Sequence, residues 1–268
     1  LQLMMGPNGA GNSTVLEVLE LLRDFAARGE PCDDRLVGRT RTRWQPEIEK
    51  QHFELEVTGK DGVYLYRLVV DEWGMPVRPR VQSESVTLNG NPLFKFENGT
   101  LHLYNDQFVD RVQFAFDPRR SGLHIVEPRP ENKKLTWFKE WLGKLQCFQV
   151  DPKRMSARAE KEAVYPAYDL SNFAGWYRHL RLAPGGVTED LRASLQEVIS
   201  GFDGLGLEEA GLNTRVLQVS ARAGVAGKGK LLQYAFDELS DGQRALVGLY
   251  TLLHYNLAHP AMMCIDEP

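Results

Sequence analysis

The sequence predicts an α/β fold that carries a β-meander lobe and a helical insert. Three observations support this fold class. An apolar run, a glycine-rich loop and an amphipathic pattern follow one another over residues 1–28. Apolar and polar residues then alternate in short stretches over residues 53–103, whereas apolar residues recur at helical spacing from about residue 128. The chain therefore combines a strand-loop-helix unit with antiparallel strands and further helices.

We expect the 268 residues to divide into three parts, and this length suffices to bury a sizeable core. Residues 1–127 contain the first strand, the first helix and the antiparallel lobe, and residues 128–210 form a helical subdomain. Residues 211–268 add a β-hairpin, a helix and a strand that return to the core.

The first predicted elements are a strand and a helix. Residues 1–5 are almost all apolar, as a buried parallel strand requires. Apolar residues from Val15 to Phe25 recur at helical spacing, and Gly29 and Pro31 end this helix. The glycine-rich loop lies between these two elements.

This loop resembles a phosphate-binding loop (P-loop) with one residue changed. Gly6, Gly11 and Ser13 match the pattern G-x-x-x-x-G-K-[ST], in which backbone N–H groups surround phosphates and the hydroxyl holds Mg²⁺. Asn12 occupies the position of the lysine, which would reach the outer phosphates. Because a strand and a helix flank the loop in the required order, the sequence predicts a nucleotide-binding loop at a helix N-terminus.

A basic segment follows the first helix. Its arginines are Arg35, Arg39, Arg41 and Arg43, which surround Gly38 and precede Trp44. One interpretation is a solvated loop. The other is that an arginine here holds phosphate or a nucleic-acid backbone.

Antiparallel strands are predicted after this segment. Alternating residues over 53–57 and 63–70 flank a turn at Lys60-Asp61-Gly62, which indicates a hairpin. Further strands are expected at residues 86–88, 93–96 and 101–103, separated by Asn89-Gly90 and Asn98-Gly99.

Three helices are predicted in the following segment. Their apolar positions are Leu135, Phe138, Leu142 and Leu145, then Phe173, Trp176, Tyr177 and Leu180, then Leu191, Leu195, Val198 and Ile199. Aromatic residues at these spacings favour a packed core over a ligand platform. No heptad pattern continues through the segment, which argues against long coiled-coil arms.

A hairpin is predicted where residues 216–219 and 232–236 flank a glycine-rich turn. This turn repeats the pattern G-x-x-x-x-G-K at Gly224, Gly229 and Lys230. Leu231 follows in place of the hydroxyl, and a strand pattern follows in place of a helix. We therefore interpret this second match as a hairpin turn with solvated lysines.

A helix with a capping box precedes the last strand. Ser240 and Gln243 have capping-box spacing at the start of an apolar helix. The simplest role of Ser240 is that cap, but the free N–H groups of the helix also offer a second anion site. The apolar run 261–265 predicts a buried strand that ends at Asp266 and Glu267. One carboxylate there suits Mg²⁺, and the other suits activation of the attacking water.

Two of these segments resemble a known family. Residues 239–243, Leu-Ser-Asp-Gly-Gln, resemble the L-S-x-G-Q signature of ABC-type ATPases, and residues 262–268 resemble their Walker B strand ending in Asp-Glu-Pro. The order of P-loop, signature and Walker B is most similar to the ABC-like AAA ATPases of the RecF, OLD and SMC group. The resemblance covers the chain from end to end, although its middle matches only in layout. It implies a P-loop NTPase core of ABC-ATPase type.

The resemblance also implies the cofactors ATP and Mg²⁺ and a homodimer whose subunits enclose ATP, with the P-loop of one facing the signature of the other. The residues that would surround the phosphates are Asn8, Gly9, Ala10, Gly11, Asn12, Ser13 and Thr14. Ser13 and Asp266 would hold Mg²⁺, and Glu267 would be the general base. The γ-phosphate of the partner's nucleotide would be contacted by Ser240, Gly242 and Gln243.

Three features depart from the family pattern. Asn12 replaces the lysine, the chain stops before the D-loop and the switch histidine expected after Walker B, and no residue is assigned to the Q-loop. We expect the sequence to be a fragment. Its first residue already lies in the predicted strand, and its last residue directly follows Glu267.

Composition restricts the partners and the compartment. The formal net charge of −4 provides no global basic field, so any contact with DNA would be local. We expect a cytoplasmic protein without a membrane partner, because no apolar run could span a bilayer and no secretory leader is recognised. Cys32, Cys147 and Cys264 lie far apart and lack C-x-x-C spacing, which suits reduced thiols and no metal site.

Three functional hypotheses follow. The first is an ATPase domain of a DNA-maintenance or anti-phage type machine, with DNA or an effector protein as a further partner. The second is a non-hydrolysing nucleotide-binding switch or scaffold, in which Asn12 has removed turnover. The third, a nucleotide-binding subunit of a membrane transporter, is disfavoured by the hairpin-rich lobe and the long helical insert.

Overall fold

A six-stranded antiparallel sheet is the largest element of the structure, a computed structural model that describes residues 11–40, 50–73, 78–183, 187–222 and 229–266. The fold is mixed α/β, and the chain divides into two compact units, Leu1–Leu145 and Gln146–Pro268. This division differs from the predicted boundaries after residues 127 and 210. Within the described ranges, no helix is both long and apolar enough to cross a membrane.

The sheet of the first unit is a meander, in which each strand pairs with the next one along the chain. Its strands are β1 Lys50–Gly59, β2 Gly62–Trp73, β3 Arg78–Leu88, β4 Asn91–Glu97, β5 Thr100–Tyr104 and β6 Asp110–Ala115. The predicted hairpin and the three further strands are therefore confirmed. Two-residue turns at Asn89-Gly90 and Asn98-Gly99 have positive φ at both positions, 50° and 82° in the first and 51° and 76° in the second. Asparagine followed by glycine favours this turn geometry, which matches the twist of the flanking strands.

Three helices accompany this sheet: α1 Asn12–Ala26, α2 Asp34–Thr40 and α3 Lys133–Lys144. α3 packs on the sheet through Phe138, whose ring stacks on Tyr64 and lies next to Tyr66. Arg23 of α1 donates from Nη1 to the carbonyl of Leu145 at 3.0 Å. The buried guanidinium therefore ties α1 to the end of α3.

The short helix α2 corrects the sequence-based expectation of a loop around Gly38. Leu36 and Val37 are only 3% and 5% exposed, so this helix buries apolar surface. The neighbouring arginines in the sequence had instead suggested a solvated loop. Arg41, Arg43 and Trp44 of the same basic segment lie outside the described residues.

The second unit packs helices against a sheet centred on one strand, β10, which pairs with β8, β9 and β11. Its strands are β7 Gln146–Phe148, β8 Arg158–Ala159, β9 Phe202–Glu209, β10 Arg215–Arg222, β11 Leu231–Ala235 and β12 Met263–Ile265. Its helices are α4 Phe173–Leu182, α5 Val187–Val198 and α6 Asp241–Ala258, and a 3₁₀ turn spans Phe236–Glu238. The core of this unit is largely aromatic, with Phe173 stacked on Phe236 and Trp176 fully buried.

The predicted helices at α3, α4 and α5 and the predicted hairpin of β10 and β11 are confirmed. The three helices do not lie in one subdomain, because α3 belongs to the first unit and the other two to the second. Strands β7, β8 and β9 also fall within residues 128–210, so this segment is mixed in structure.

A parallel pair of strands lies in the second unit. β7 pairs with β12 in the register Gln146–Met263, Cys147–Cys264 and Phe148–Ile265. The strand predicted over residues 261–265 is present as β12, but it is shorter, and its three residues are partly exposed and not fully buried. Because the strands are parallel, their carboxyl ends lie at the same edge.

Candidate functional site

The start of α1 has the backbone geometry of an anion-binding helix N-terminus. Gly11 precedes α1 in the left-handed region, with φ of 93°, which favours glycine. Val15 N donates to the Gly11 carbonyl at 3.0 Å and closes the first helical turn. Within the described part of the chain, no side chain caps this turn and no acidic residue lies in it. The N–H groups of this turn and the helix dipole therefore favour an anion.

The predicted phosphate-binding residues lie partly inside the described ranges. Asn12 is the first residue of α1, and Ser13 and Thr14 follow in the same turn with exposed side chains. The hydroxyl of Ser13 is therefore accessible to a ligand. Asn8, Gly9 and Ala10 lie outside the described residues.

The signature segment forms a complete capping box at the start of α6, as predicted. Gln243 N donates to Ser240 Oγ at 3.3 Å, and Ser240 N donates to Gln243 Oε1 at 3.1 Å. Ser240 Oγ also donates to Gln243 Oε1 at 3.1 Å. Ser240 and Gly242 are both exposed. Both the serine and the glutamine thus engage the helix start, and a phosphate there would have to replace part of this hydrogen bonding.

Asp266 is a buried carboxylate at the end of β12. Asp266 is only 6% exposed, and its Oδ2 atom has no hydrogen-bond partner among the described residues. The backbone N–H of Asp266 donates to the Phe148 carbonyl at 2.7 Å, so the residue is held at the end of the parallel pair. A buried carboxylate oxygen without a partner is costly, and a cation is a natural partner for it.

The Asp266 carboxylate is an oxygen ligand of the kind that Mg²⁺ bound with a nucleotide takes from a protein. Mg²⁺ commonly takes one or two protein oxygens and completes its octahedron with water and phosphate. The described ranges contain no group of three or more His, Cys, Asp or Glu side chains that could hold a metal. Asp266 therefore suits a metal that relies on phosphate for its other ligands, and it does not suit an all-protein metal site.

Gln149 is a residue at this edge that the sequence did not single out. It follows β7 directly, just as Asp266 follows β12, and the register pairs Phe148 with Ile265. Its side chain is exposed, and its N–H donates to the Tyr168 carbonyl at 2.9 Å. No local sequence pattern marks Gln149, because only the pairing of β7 with β12 connects it to Asp266.

The structure brings some predicted site residues together and separates others by unit. It joins Ser240 to Gln243 and places Asp266 beside the end of β7. Ser13 lies in the first unit and Asp266 in the second, so their binding to one metal stays a prediction. Glu267 lies outside the described residues.

The second G-x-x-x-x-G-K match has no helix after it. Lys230 is exposed and leads into β11, which pairs antiparallel with β10. This pairing supports the interpretation as a hairpin connection, although Gly224 and Lys228 lie outside the described residues.

A separate polar cluster is enclosed in the first unit. Glu84 is 1% exposed and accepts hydrogen bonds from Ser121 Oγ at 2.6 Å, Gly122 N at 2.8 Å and Tyr66 Oη at 3.0 Å. Burial raises the pKa of the Glu84 carboxyl to about 7, although these donors lower it. Ser121 Oγ also accepts from Leu123 N at 3.1 Å, so the cluster holds the chain segment after Ser121 against β3. We interpret it as structural because no described group in it faces solvent.

Comparison with protein-family models found no matching family, and a search of curated proteins found no match. The assignment of the site therefore depends on its motifs and on the geometry described above. The strongest geometric feature is Asp266, because its burial leaves a carboxylate oxygen without a protein partner in the described part of the chain.

Proposed function

We propose that this chain is an ATP-binding domain that uses Mg²⁺ and hydrolyses ATP within a P-loop NTPase fold of ABC-ATPase type. The observation that carries the proposal is the buried Asp266 carboxylate, whose Oδ2 lacks a described partner at the end of a parallel strand. Its place directly before Glu267 matches the order of a metal ligand and a general base in a Walker B strand.

The start of α1 supplies the phosphate-binding part of the proposal. Gly11 has the left-handed φ that curls the backbone before the helix, and no described side chain caps the first turn. The N–H groups of this turn would donate to phosphate oxygens, and the exposed Ser13 hydroxyl would bind the metal. Mg²⁺, when bound, would neutralise negative charge that develops on the phosphates.

Each carboxylate at the end of β12 has a separate role in the proposal. Asp266 would bind the metal, because its carboxylate is buried and fixed through the backbone bond to Phe148. Glu267 would orient the attacking water and accept its proton. Gln149, exposed at the same edge, would hydrogen-bond that water or a metal-bound water.

The signature segment supports an ATP-dependent homodimer. Ser240 and Gly242 are exposed at the N-terminus of an 18-residue helix, where the dipole favours an anion. In the proposed dimer, Ser240, Gly242 and Gln243 would contact the γ-phosphate bound by the partner subunit. ATP would close this dimer and hydrolysis would reopen it, in a DNA-maintenance or anti-phage type machine that acts on DNA or an effector protein.

Asn12 supports the alternative of a non-hydrolysing switch or scaffold. It occupies the lysine position of the loop, and an amide carries no charge to offset the transition state. In this alternative the chain binds ATP and dimerises but does not release phosphate. Nucleotide binding is common to both functions.

ATP binding can be tested by calorimetric titration of the purified protein with ATP, in the presence and absence of Mg²⁺. We expect Mg²⁺ to strengthen ATP binding and Asp266→Asn to weaken the Mg²⁺-dependent binding by about tenfold or more. Asp203→Asn is the matched control, because it removes the same charge from the second unit at a half-buried site paired with Arg222. Equal Mg²⁺-dependent affinity of the wild type and the Asp266→Asn variant would refute the metal-binding role.

A further inference from the structure

Cys147 and Cys264 are direct neighbours across the parallel pair of the second unit. They are register partners in β7 and β12, with one pair on either side of them in the ladder. Neighbouring strands lie about 4.8 Å apart, and register partners point to the same face of a sheet. This separation agrees with the Cα spacing of about 4.4–6.8 Å that a disulfide requires.

The two thiols differ in access. Cys147 is 1% exposed, whereas Cys264 is only partly buried. A small oxidant can therefore react with Cys264 first. The neighbouring Cys147 can then supply the second sulfur of a disulfide. The remaining cysteine, Cys32, is buried in the first unit. Cys147 and Cys264 lie far apart in the sequence, so only the pairing of β7 with β12 makes them neighbours.

We propose that Cys147 and Cys264 form a redox-active dithiol, a modification site that closes to an intramolecular disulfide with a low-molecular-weight disulfide as the oxidant. The sulfur of Cys264 attacks one sulfur of the oxidant, the oxidant's S–S bond breaks, and one small thiol leaves with the proton of Cys264. The sulfur of Cys147 then attacks Cys264 Sγ, which releases the second small thiol with the proton of Cys147. Two electrons pass from the two cysteines to the oxidant, which becomes two thiols.

The disulfide would connect the two strands immediately before Gln149 and Asp266. It would close residues 147–264 into one covalent loop and so reduce the freedom of the unfolded second unit. The proposal needs no nucleotide, because it depends on the register of β7 and β12 alone. Its test can therefore succeed or fail independently of ATP binding.

The test treats the purified, nucleotide-free protein with oxidised glutathione, blocks the remaining thiols with iodoacetamide and maps the peptides by mass spectrometry. We expect a Cys147–Cys264 peptide pair that is two hydrogen atoms lighter than its reduced parts, with Cys32 alkylated after unfolding. Cys32→Ala is the matched control and should give the same pair. In Cys147→Ser, one glutathione should remain attached to Cys264 as a stable mixed disulfide, and the other should leave as the thiol.

A thermal unfolding measurement provides a second, independent result on the wild type. Oxidation should raise the melting temperature of the second unit by about 5 °C or more, and dithiothreitol should reverse the shift. A wild type that retains glutathione on Cys264 without forming the pair would overturn the proposal, because Cys147 would then be out of reach. Three unmodified thiols after treatment, or pairing through Cys32 at equal yield, would overturn it as well.

Discussion

The backbone N–H of Asp266 donates to the Phe148 carbonyl at 2.7 Å, which extends the parallel pairing of β12 with β7 by one hydrogen bond. This bond holds a buried carboxylate at a sheet edge while its Oδ2 atom lacks a partner among the described residues. An arrangement of this kind costs stability in the free protein, and the proposed Mg²⁺ would offset that cost. The proposed metal-binding role of Asp266 and a structural role therefore predict opposite effects of its removal on the stability of the metal-free protein.

We predict that Asp266→Asn raises the free energy of unfolding in the absence of Mg²⁺ by ~1 kcal/mol, because it replaces a buried carboxylate whose Oδ2 atom has no partner among the described residues. Urea unfolding of the nucleotide-free protein measures this change. Asp203→Asn, which loses an ion pair with Arg222, should lower the free energy of unfolding by no more than ~1 kcal/mol. A clear loss of stability in the Asp266→Asn variant would instead make this carboxylate a structural group.

We predict that Asn12→Lys strengthens ATP binding about 10- to 100-fold, because a charged hydrogen bond contributes ~1.5–3 kcal/mol. Phosphate release should rise further, since the added cation also offsets charge in the transition state. Equilibrium binding and steady-state phosphate release measure the two effects, with Asn12→Lys/Glu267→Gln as the hydrolysis control. Tighter binding without phosphate release above that control would favour the switch or scaffold over the ATPase.

We predict that Glu84 makes the first unit less stable as the pH rises from about 4.5 to about 7. Burial raises the folded pKa of Glu84 to about 7 from its ordinary value of 4.5, so the folded state binds the proton more tightly than the unfolded state. The stabilisation is fully present below the unfolded pKa and is lost as the pH rises through the folded pKa. The difference between the folded and unfolded pKa values corresponds to ~3 kcal/mol in the free energy of unfolding.

The measurement is urea unfolding at pH 5 and pH 8 for the wild type and Glu84→Gln, which mimics the protonated acid. In the Glu84→Gln variant, the free energy of unfolding should change less between pH 5 and pH 8 than in the wild type. Glu54→Gln is the control on the same sheet, because Glu54 is 60% exposed and pairs with Arg67 at the surface. If Glu84→Gln and the wild type lose stability equally between the two pH values, the buried carboxyl is not the titrating group.

We predict that Ser240→Ala destabilises α6 by ~1 kcal/mol, because it removes the side-chain acceptor for Gln243 N. Ser240→Asp should keep that cap and the stability of the protein, since aspartate is a good N-cap residue. The same variant should abolish ATP-dependent dimerisation, because its charge would repel the γ-phosphate of the partner's nucleotide. Sedimentation with ATP in a Glu267→Gln background measures the dimer, and a dimer that persists in Ser240→Asp would contradict the role of Ser240 at the interface.

The sequence by itself determined the local elements. The asparagine-glycine turns at residues 89–90 and 98–99, the periods of α1 and α3, and the capping box of Ser240 and Gln243 depend on residues within a few positions of each other. Short-range sterics and hydrogen bonding decide such elements, so a sequence pattern suffices to predict them.

Only the tertiary structure decided which distant segments meet. The pairing of β7 with β12 created the Cys147–Cys264 neighbours, and the same pairing connected Gln149 with Asp266. Part of the basic segment forms α2, in which Leu36 is buried. Burial of Glu84 raises the pKa of its carboxyl to about 7. Strand register and burial depend on contacts between residues far apart in the chain, so a local sequence pattern cannot predict them.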